Sequence, residues 1–249
     1  MAQKKDHLQG SMNSTRTTTK AEFNKDIFVT GRYIQHFKPD DKRNPFARIY
    51  KRKKRDALNI INELPCLKSI LDVGGGMGRL SLALAESPEN KIVLMDVSLG
   101  MLKQAGGQAK RFDNMLLVNG DAHDLPFPDR SFQCVVGLDL FCHLEKPKKA
   151  LSEFSRVLMD QGTLILDSTN SNPLWTLFYP RYLGKNPLNW LRTMKFHGVA
   201  PGWEAIVKHY PRKVFFSLLN EMGFQVVRTI NYGPVICPKW HLAVSKKIT

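Results

Sequence analysis

The spacing of apolar residues changes several times along the chain. Over residues 41–64, Phe46, Ile49, Tyr50, Ala57, Leu58, Ile61 and Leu64 recur mostly at steps of three and four, which predicts a helix with Asp40 or Asp41 as its N-cap. After Pro65 the period shortens. Apolar runs at residues 69–73, 92–95, 115–118, 132–138 and 163–166 predict strands, and residues 78–86, 98–112 and 146–158 between them predict helices. Such alternation implies βαβ units with right-handed crossovers and a parallel, doubly wound α/β sheet. Residues 171–210 break the rhythm with Trp175, Phe178, Tyr179, Tyr182, Trp190, Phe196 and Trp203 among four prolines. That stretch is too long and too apolar for a simple connector, and an inserted cap of short helices is expected. A helix over residues 212–222, stopped by Gly223, and strands over residues 224–231 and 236–245 complete a sheet of about seven strands.

The organisation expected is a polar, disordered tail over residues 1–20 followed by one domain over residues 21–249. Within it, residues 21–64 form an N-terminal helical cap and residues 65–170 a ligand-binding core. Residues 171–210 form the inserted cap, and residues 211–249 the final helix and strands.

Residues 71–78 read LDVGGGMG, between the first strand and its helix. Without a Cβ, Gly74, Gly75 and Gly76 let the backbone approach a ligand closely, and the following helix N-terminus favours a ligand's negative end. A strand, a glycine turn and a helix in this order suit a nucleotide-like ligand. A dinucleotide site requires GxGxxG. Counting from Gly74 and Gly76 puts Arg79 in the third glycine position, and counting from Gly75 puts Met77 in the second. The Gly-Lys-Ser/Thr ending of a P-loop is also missing. What stands is an acid followed by Gly-x-Gly-x-Gly, with a plain tight turn as the alternative.

Further stretches follow in order: MDVSLGMLKQA at residues 95–105, NGDAHDLPFPDRSFQCVV at 119–136, LDLFCHL at 138–144 and GTLIL at 162–166. Together they resemble the class I S-adenosylmethionine-dependent methyltransferases, whose core is Rossmann-like. GDAHDLPFPDRSFQCVV is closest to small-molecule enzymes of the quinone and sterol type. The resemblance covers about residues 67–168. It implies S-adenosyl-L-methionine as cofactor, held by Asp72, Gly74, Gly75, Gly76, Gly78, Asp96, Val97, Met101, Asp121, Ala122 and Leu138. Asp96, 24 residues after Asp72, would accept hydrogen bonds from both ribose hydroxyls, its alternative being to cap the helix near Ser98. Met101 would pack on the adenine, Asp121 would face its amino group, and the Ala122 amide would reach a ring nitrogen. A turn aspartate is the other reading of Asp121.

The methyl group of such a cofactor is already activated, so the protein has chiefly to place a nucleophile in line and exclude water. A hydroxyl acceptor needs a base. The candidates are Asp139, His143, His197 and His209, with Tyr179 and Tyr182 as orienting groups. None lies in a recognisable catalytic motif, and His143 equally suits a brace for the next helix.

The net charge of +15 is unevenly distributed. Residues 1–60 contribute +9, residues 61–170 contribute −3, and residues 171–249 contribute +9. The two basic flanks are the segments that would roof the methyl group, so the charge concerns the acceptor and its surroundings. Aromatics and cations alternate through Trp175, Tyr179, Arg181, Tyr182, Lys185, Trp190, Arg192 and Lys195, which suits an anionic membrane surface presenting a lipid-like or quinone-like acceptor. Arg48, Lys51, Arg52, Lys53, Lys54 and Arg55 form a cluster able to track RNA phosphates, or a solvated helix face. The preferred acceptor is a hydrophobic small molecule. An RNA methyltransferase and a cofactor-binding subunit without turnover are the alternatives. Cys66, Cys134, Cys142 and Cys237 form no CxxC pair, so neither a disulfide framework nor a metal site is signalled. The opening residues are polar, with no hydrophobic segment behind them, and no run approaches the roughly 18 apolar residues of a membrane span. A cytoplasmic protein, peripheral at a membrane, is expected.

Overall fold

A computed structural model describes residues 47–65, 68–170, 208–233 and 238–248. The expected tail, most of the inserted cap with His197, Tyr179 and Tyr182, and Cys66 and Cys237 lie outside the described residues. The described elements are α1 (Ala47–Asn62), β1 (Lys68–Val73), α2 (Ser81–Leu84), β2 (Asn90–Asp96), α3 (Leu99–Ala109), β3 (Met115–Asn119), β4 (Phe132–Gly137), a 3-10 turn (Phe141–His143), α4 (Pro147–Val157), β5 (Leu158–Thr169), α5 (Arg212–Glu221), β6 (Phe224–Tyr232) and β7 (Trp240–Lys247).

The seven strands form one sheet in the order β3-β2-β1-β4-β5-β7-β6. The first five run parallel. β7 is antiparallel to both β5 and β6. The departure from an all-parallel sheet has a simple cause: the connection from β6 to β7 is too short for a crossover, so the two strands must pair antiparallel.

Alternate residues of the central strands feed two apolar layers. On one face Ile70, Ile92, Leu94, Val136, Ile165 and Leu242 pack with Ala57, Ile60 and Ile61 of α1, Leu84 of α2 and Leu102 of α3. On the other, Leu71, Val73, Val135, Leu164, Leu166 and Ala243 meet Leu151 and Phe154 of α4 and Phe215 and Leu219 of α5. Strands buried on both faces read as continuous apolar runs, which is why β1, β4 and β5 were legible in the sequence.

From β1 onward, three elements start three or more residues from the sequence expectation. The helix placed at residues 78–86 is one turn, Ser81–Leu84, because the glycine turn continues to Leu80. β5 starts at Leu158, crossing a register shift against β4 that polar Asp160 and Gln161 disguise as a loop. β7 starts at Trp240 rather than residue 236.

Candidate cofactor and acceptor site

The loops that leave β1, β2, β3 and β4 meet at the carboxyl edge of the sheet, around the point where strand order reverses between β1 and β4. Ligands of open α/β sheets bind at such a point. The turn after β1 is drawn onto β2: the Gly74 N–H donates to the Met95 carbonyl (2.7 Å), and the Gly76 N–H donates to Asp96 Oδ2 (2.9 Å). Gly74, Gly76 and Gly78 all hold positive φ, at 67°, 58° and 76°. A Cβ on Gly75 would overlap Leu94 Cδ1 and come within 2.7 Å of Asp72 Oδ2, and one on Gly74 would come within 2.8 Å of Leu140 Cδ1. The turn is therefore a bare-backbone cradle that side chains would fill.

Asp72 lies beneath this cradle, 2% exposed, with Oδ2 accepting a hydrogen bond from Ser81 Oγ (2.6 Å). Burial pushes its carboxyl up from 3.8 to about 6, while the Ser81 bond opposes the rise and the neighbouring Asp96 adds to it. Asp96 is buried at the tip of β2. Its Oδ1 accepts from the Ser98 N–H (2.8 Å), and burial again raises the carboxyl against the pull of the Ser98 and Gly76 amides. The cap of α3 is Ser98 itself, whose Oγ accepts from the Met101 N–H (3.4 Å). Asp96 thus fixes the glycine turn relative to α3, a role distinct from the helix cap. Met101 is buried next to the cradle, with its Sδ 3.9 Å from a Cβ built on Gly76, and Val97 is 38% exposed at the lip.

The loop after β3 joins through the Gly120 N–H, which donates to the Asp96 carbonyl (3.2 Å), and through Asn119 Nδ2, which donates to the carbonyls of Asp96 (2.9 Å) and Val97 (3.0 Å). Ala122 is buried and Asp121 exposed. Asp121 Oδ1 accepts from the His123 N–H (2.9 Å) and lies 2.6 Å from His123 Nδ1. The Lys146 N–H donates to His123 Nε2, which places the ring proton on Nδ1, facing Asp121. From the opposite side, Arg156 of α4 donates to the carbonyls of Leu125 (2.9 Å) and Phe127 (2.7 Å) and to the carboxylates of Asp129 and Glu153. One guanidinium so holds the whole DLPFPD segment.

Four of the predicted groups line the β4–β5 side. Leu138 and Asp139 leave β4 and are half-buried, and His143 sits in the 3-10 turn with its N–H donating to the Leu140 carbonyl (2.9 Å). His209 Nδ1 lies 3.3 Å from the Asn170 carbonyl. Residues 208–210 return to the same edge, where Lys208 N–H donates to Cys142 O (2.7 Å) and Tyr210 N–H to Thr169 O (2.9 Å). Cys134 and Cys142 are free thiols that burial pushes up, Cys134 to about 12, so neither is poised as a nucleophile.

Three site residues escaped the sequence reading. Ser81 was counted only as part of a helix. Asp167 lies near the end of β5, a charge after an apolar run, a signal available in TLILD. Lys53 was grouped with the surface cations, yet it is 1% exposed and bonded to the carboxylates of Asp139 and Asp167. Its place four residues from both Ile49 and Ala57, on the apolar face, was the available sign. Among the described residues no group of three or more His, Cys, Asp or Glu is arranged to hold a metal, and no helix is long and apolar enough to cross a membrane.

Comparison with known proteins agrees with this geometry. Residues 71–166 match the family described as a methyltransferase domain. A ubiquinone/menaquinone biosynthesis C-methyltransferase from Hahella chejuensis is 34% identical over 121 residues, covering 46% of this chain and 49% of that protein. A malonyl-[acyl-carrier protein] O-methyltransferase from Geobacter sulfurreducens is 39% identical over 94 residues, covering 37% and 35%. The matched segment thus spans about half the length of these relatives or less. The solved structure of an S-adenosylmethionine-dependent methyltransferase from Methanosarcina mazei shares the fold at 22% identity, with a TM-score of 0.59 over 76% of this chain and 97% of that one. Residues 71–166 are thus similar to a methyltransferase domain, and the sheet that carries them shares the fold of a solved S-adenosylmethionine-dependent methyltransferase.

Proposed function

We propose that the protein transfers the methyl group of S-adenosylmethionine to a small, hydrophobic acceptor of the quinone-like or lipid-like class. The observation that carries the reading is the cradle at Gly74–Gly76, closed by Leu140 and flanked by two buried carboxylates, Asp72 and Asp96. These residues fit the cofactor. Asp96 suits the ribose, Asp121 and Ala122 the adenine edge, and Met101 and Val97 the flat faces of the adenosine. The glycine turn and Leu138 suit the amino-acid end. A buried carboxylate raised by burial, as Asp72 is, is stabilised by an approaching cation, which the amino group of that end provides. When bound, the sulfonium supplies an activated methyl group, and the chain's own task is to seat the nucleophile and keep water away.

Two features support an apolar acceptor. The rings of Tyr50 and Trp240 lie edge to face at 6.2 Å and form an apolar backing behind the Lys53–Asp139 pair. The quinone-biosynthesis relative points the same way. The outward face of α1 keeps Arg48, Lys51, Arg52 and Arg55 exposed, although Arg52 and Arg55 already face Asp56. That face suits an anionic surface, and the buried Lys53 is lost to any phosphate-tracking set.

The test supplies cofactor labelled at the methyl group together with membrane lipid extract or total RNA. Label is expected in the lipid fraction. Label in RNA overturns the acceptor class, and label in neither, with cofactor binding intact by calorimetry, makes the chain a non-catalytic subunit. Asp96→Ala should weaken cofactor affinity about ten-fold or more, since hydrogen bonds to a charged group are lost, with the circular dichroism spectrum retained. Unchanged affinity removes Asp96 from the site.

A further inference from the structure

A second polar centre stands beside the cradle. Lys53, from α1, reaches the carboxyl edge of the sheet, where Nζ donates to Asp139 and to Asp167 Oδ2 (2.7 Å). The rings of Tyr50 and Trp240 lie 5.2 and 5.1 Å from the ammonium. Asp167, near the end of β5, also accepts the Asp139 N–H on Oδ1 (2.6 Å). Asp139 is thereby held at both its backbone and its side chain. It adopts φ +58°, a left-handed conformation that a non-glycine residue keeps only where its surroundings impose it.

The exposures of the three groups differ sharply. The side chains of Lys53 and Asp167 are each 1% exposed, whereas that of Asp139 is 26% exposed. The next residue, Leu140, packs on Gly74, so the one accessible carboxylate borders the cofactor cradle. Two carboxylates share one ammonium here. Burial would lower Lys53, but its two partners more than reverse this and keep it charged. Burial holds nearby Lys239 well below its ordinary range, with the Lys53 charge adding to the effect. The cluster therefore presents one partly exposed carboxyl group, that of Asp139, towards the edge of the cradle. A buried ion pair is a poor device for stability alone, since apolar residues of the same volume do as well or better.

We propose that Lys53 and Asp167 are positioning residues for Asp139, and that Asp139 accepts a hydrogen bond from a hydroxyl or N–H donor carried by the methyl acceptor. This rests on the methyltransferase reading above and specifies the acceptor: an apolar body with a donor group beside the reacting atom. Held by Lys53 and Asp167, Asp139 orients the acceptor through this hydrogen bond.

The experiment uses the full chain saturated with S-adenosylhomocysteine and titrates phenol, which carries a donor, against anisole, which has the same ring without one. Protein-observed NMR reports affinity and the Asp139 carboxyl resonance. Phenol should bind about ten-fold tighter than anisole and move that resonance, as expected for a hydrogen bond to a charged group. In Asp139→Asn and Lys53→Met the ratio should fall to about one while affinity for S-adenosylhomocysteine stays within about two-fold. Asp139→Asn, at a partly exposed site, decides the matter if Lys53→Met does not fold. Equal affinities in the wild type, no response at Asp139, or a ratio preserved in the variants while only the melting temperature drops, overturns the proposal. Failure of the wild type to bind S-adenosylhomocysteine instead overturns the methyltransferase reading on which it stands.

Discussion

Asp72 is a carboxylate placed where water cannot solvate it, with a serine hydroxyl as its hydrogen-bond donor. The rise from 3.8 to about 6 is worth on the order of 3 kcal/mol. Because the folded value lies above the unfolded one, this contribution is complete below about pH 4 and is lost as pH rises through about 6. Asp72→Asn keeps an oxygen for Ser81 and removes the titration. In thermal melts of the cofactor-free protein, the variant should gain on the wild type between pH 4 and pH 7, and a constant difference would remove Asp72 as the cause. At Gly75 the expectation is the reverse: Gly75→Ala crowds Leu94 and Asp72 and should cost about 1–3 kcal/mol in denaturant unfolding. Asp72 and Asp96 were legible because their positions relative to the glycine turn carry the pattern, whereas Asp167 lies far from that turn. Ser81 and Lys53 were not, since each acquires its role from a partner 9 or 114 residues away.

The elements were legible where burial on both faces leaves an unbroken apolar run, as in β1 and β4. They were less so where polar residues continue a strand, as at Asp160 and Gln161 of β5. The DLPFPD segment shows the same division. Its residues announced themselves by resemblance, but what shapes it is Arg156, projecting from α4 about 30 residues later. Arg156→Ala leaves two backbone carbonyls and two carboxylates without their common donor. It should cost about 2 kcal/mol in unfolding and weaken cofactor binding through the Asp121–Ala122 turn. Arg156→Lys should not rescue either quantity, because a single ammonium cannot serve four acceptors spread in a plane. Full rescue in both measurements would mean that charge alone matters.

Across the whole sequence, charge is partitioned between a near-neutral core and two basic flanks. With +15 net charge the protein should co-sediment with anionic vesicles at low salt and release from them as ionic strength rises, and vesicles of neutral lipid should retain much less. Equal retention on both would sever charge from membrane contact. The sequence disclosed this partition as a sum over segments. The inward turn of Lys53, which subtracts one cation from the surface and pairs it with Asp139 and Asp167, depends on which face of α1 meets the sheet.

The strand order has a consequence for how the chain comes together during synthesis. β1, β2 and β3 leave the ribosome first and pair in sequence, yet β1 keeps one open edge until β4 arrives, some 60 residues after it. A nascent chain stopped before β4 carries Asp72, every glycine of the turn and Asp96, but has no Leu140 to close the cradle. Capacity to hold the cofactor therefore arises late and all at once, when the second half of the sheet docks onto the first.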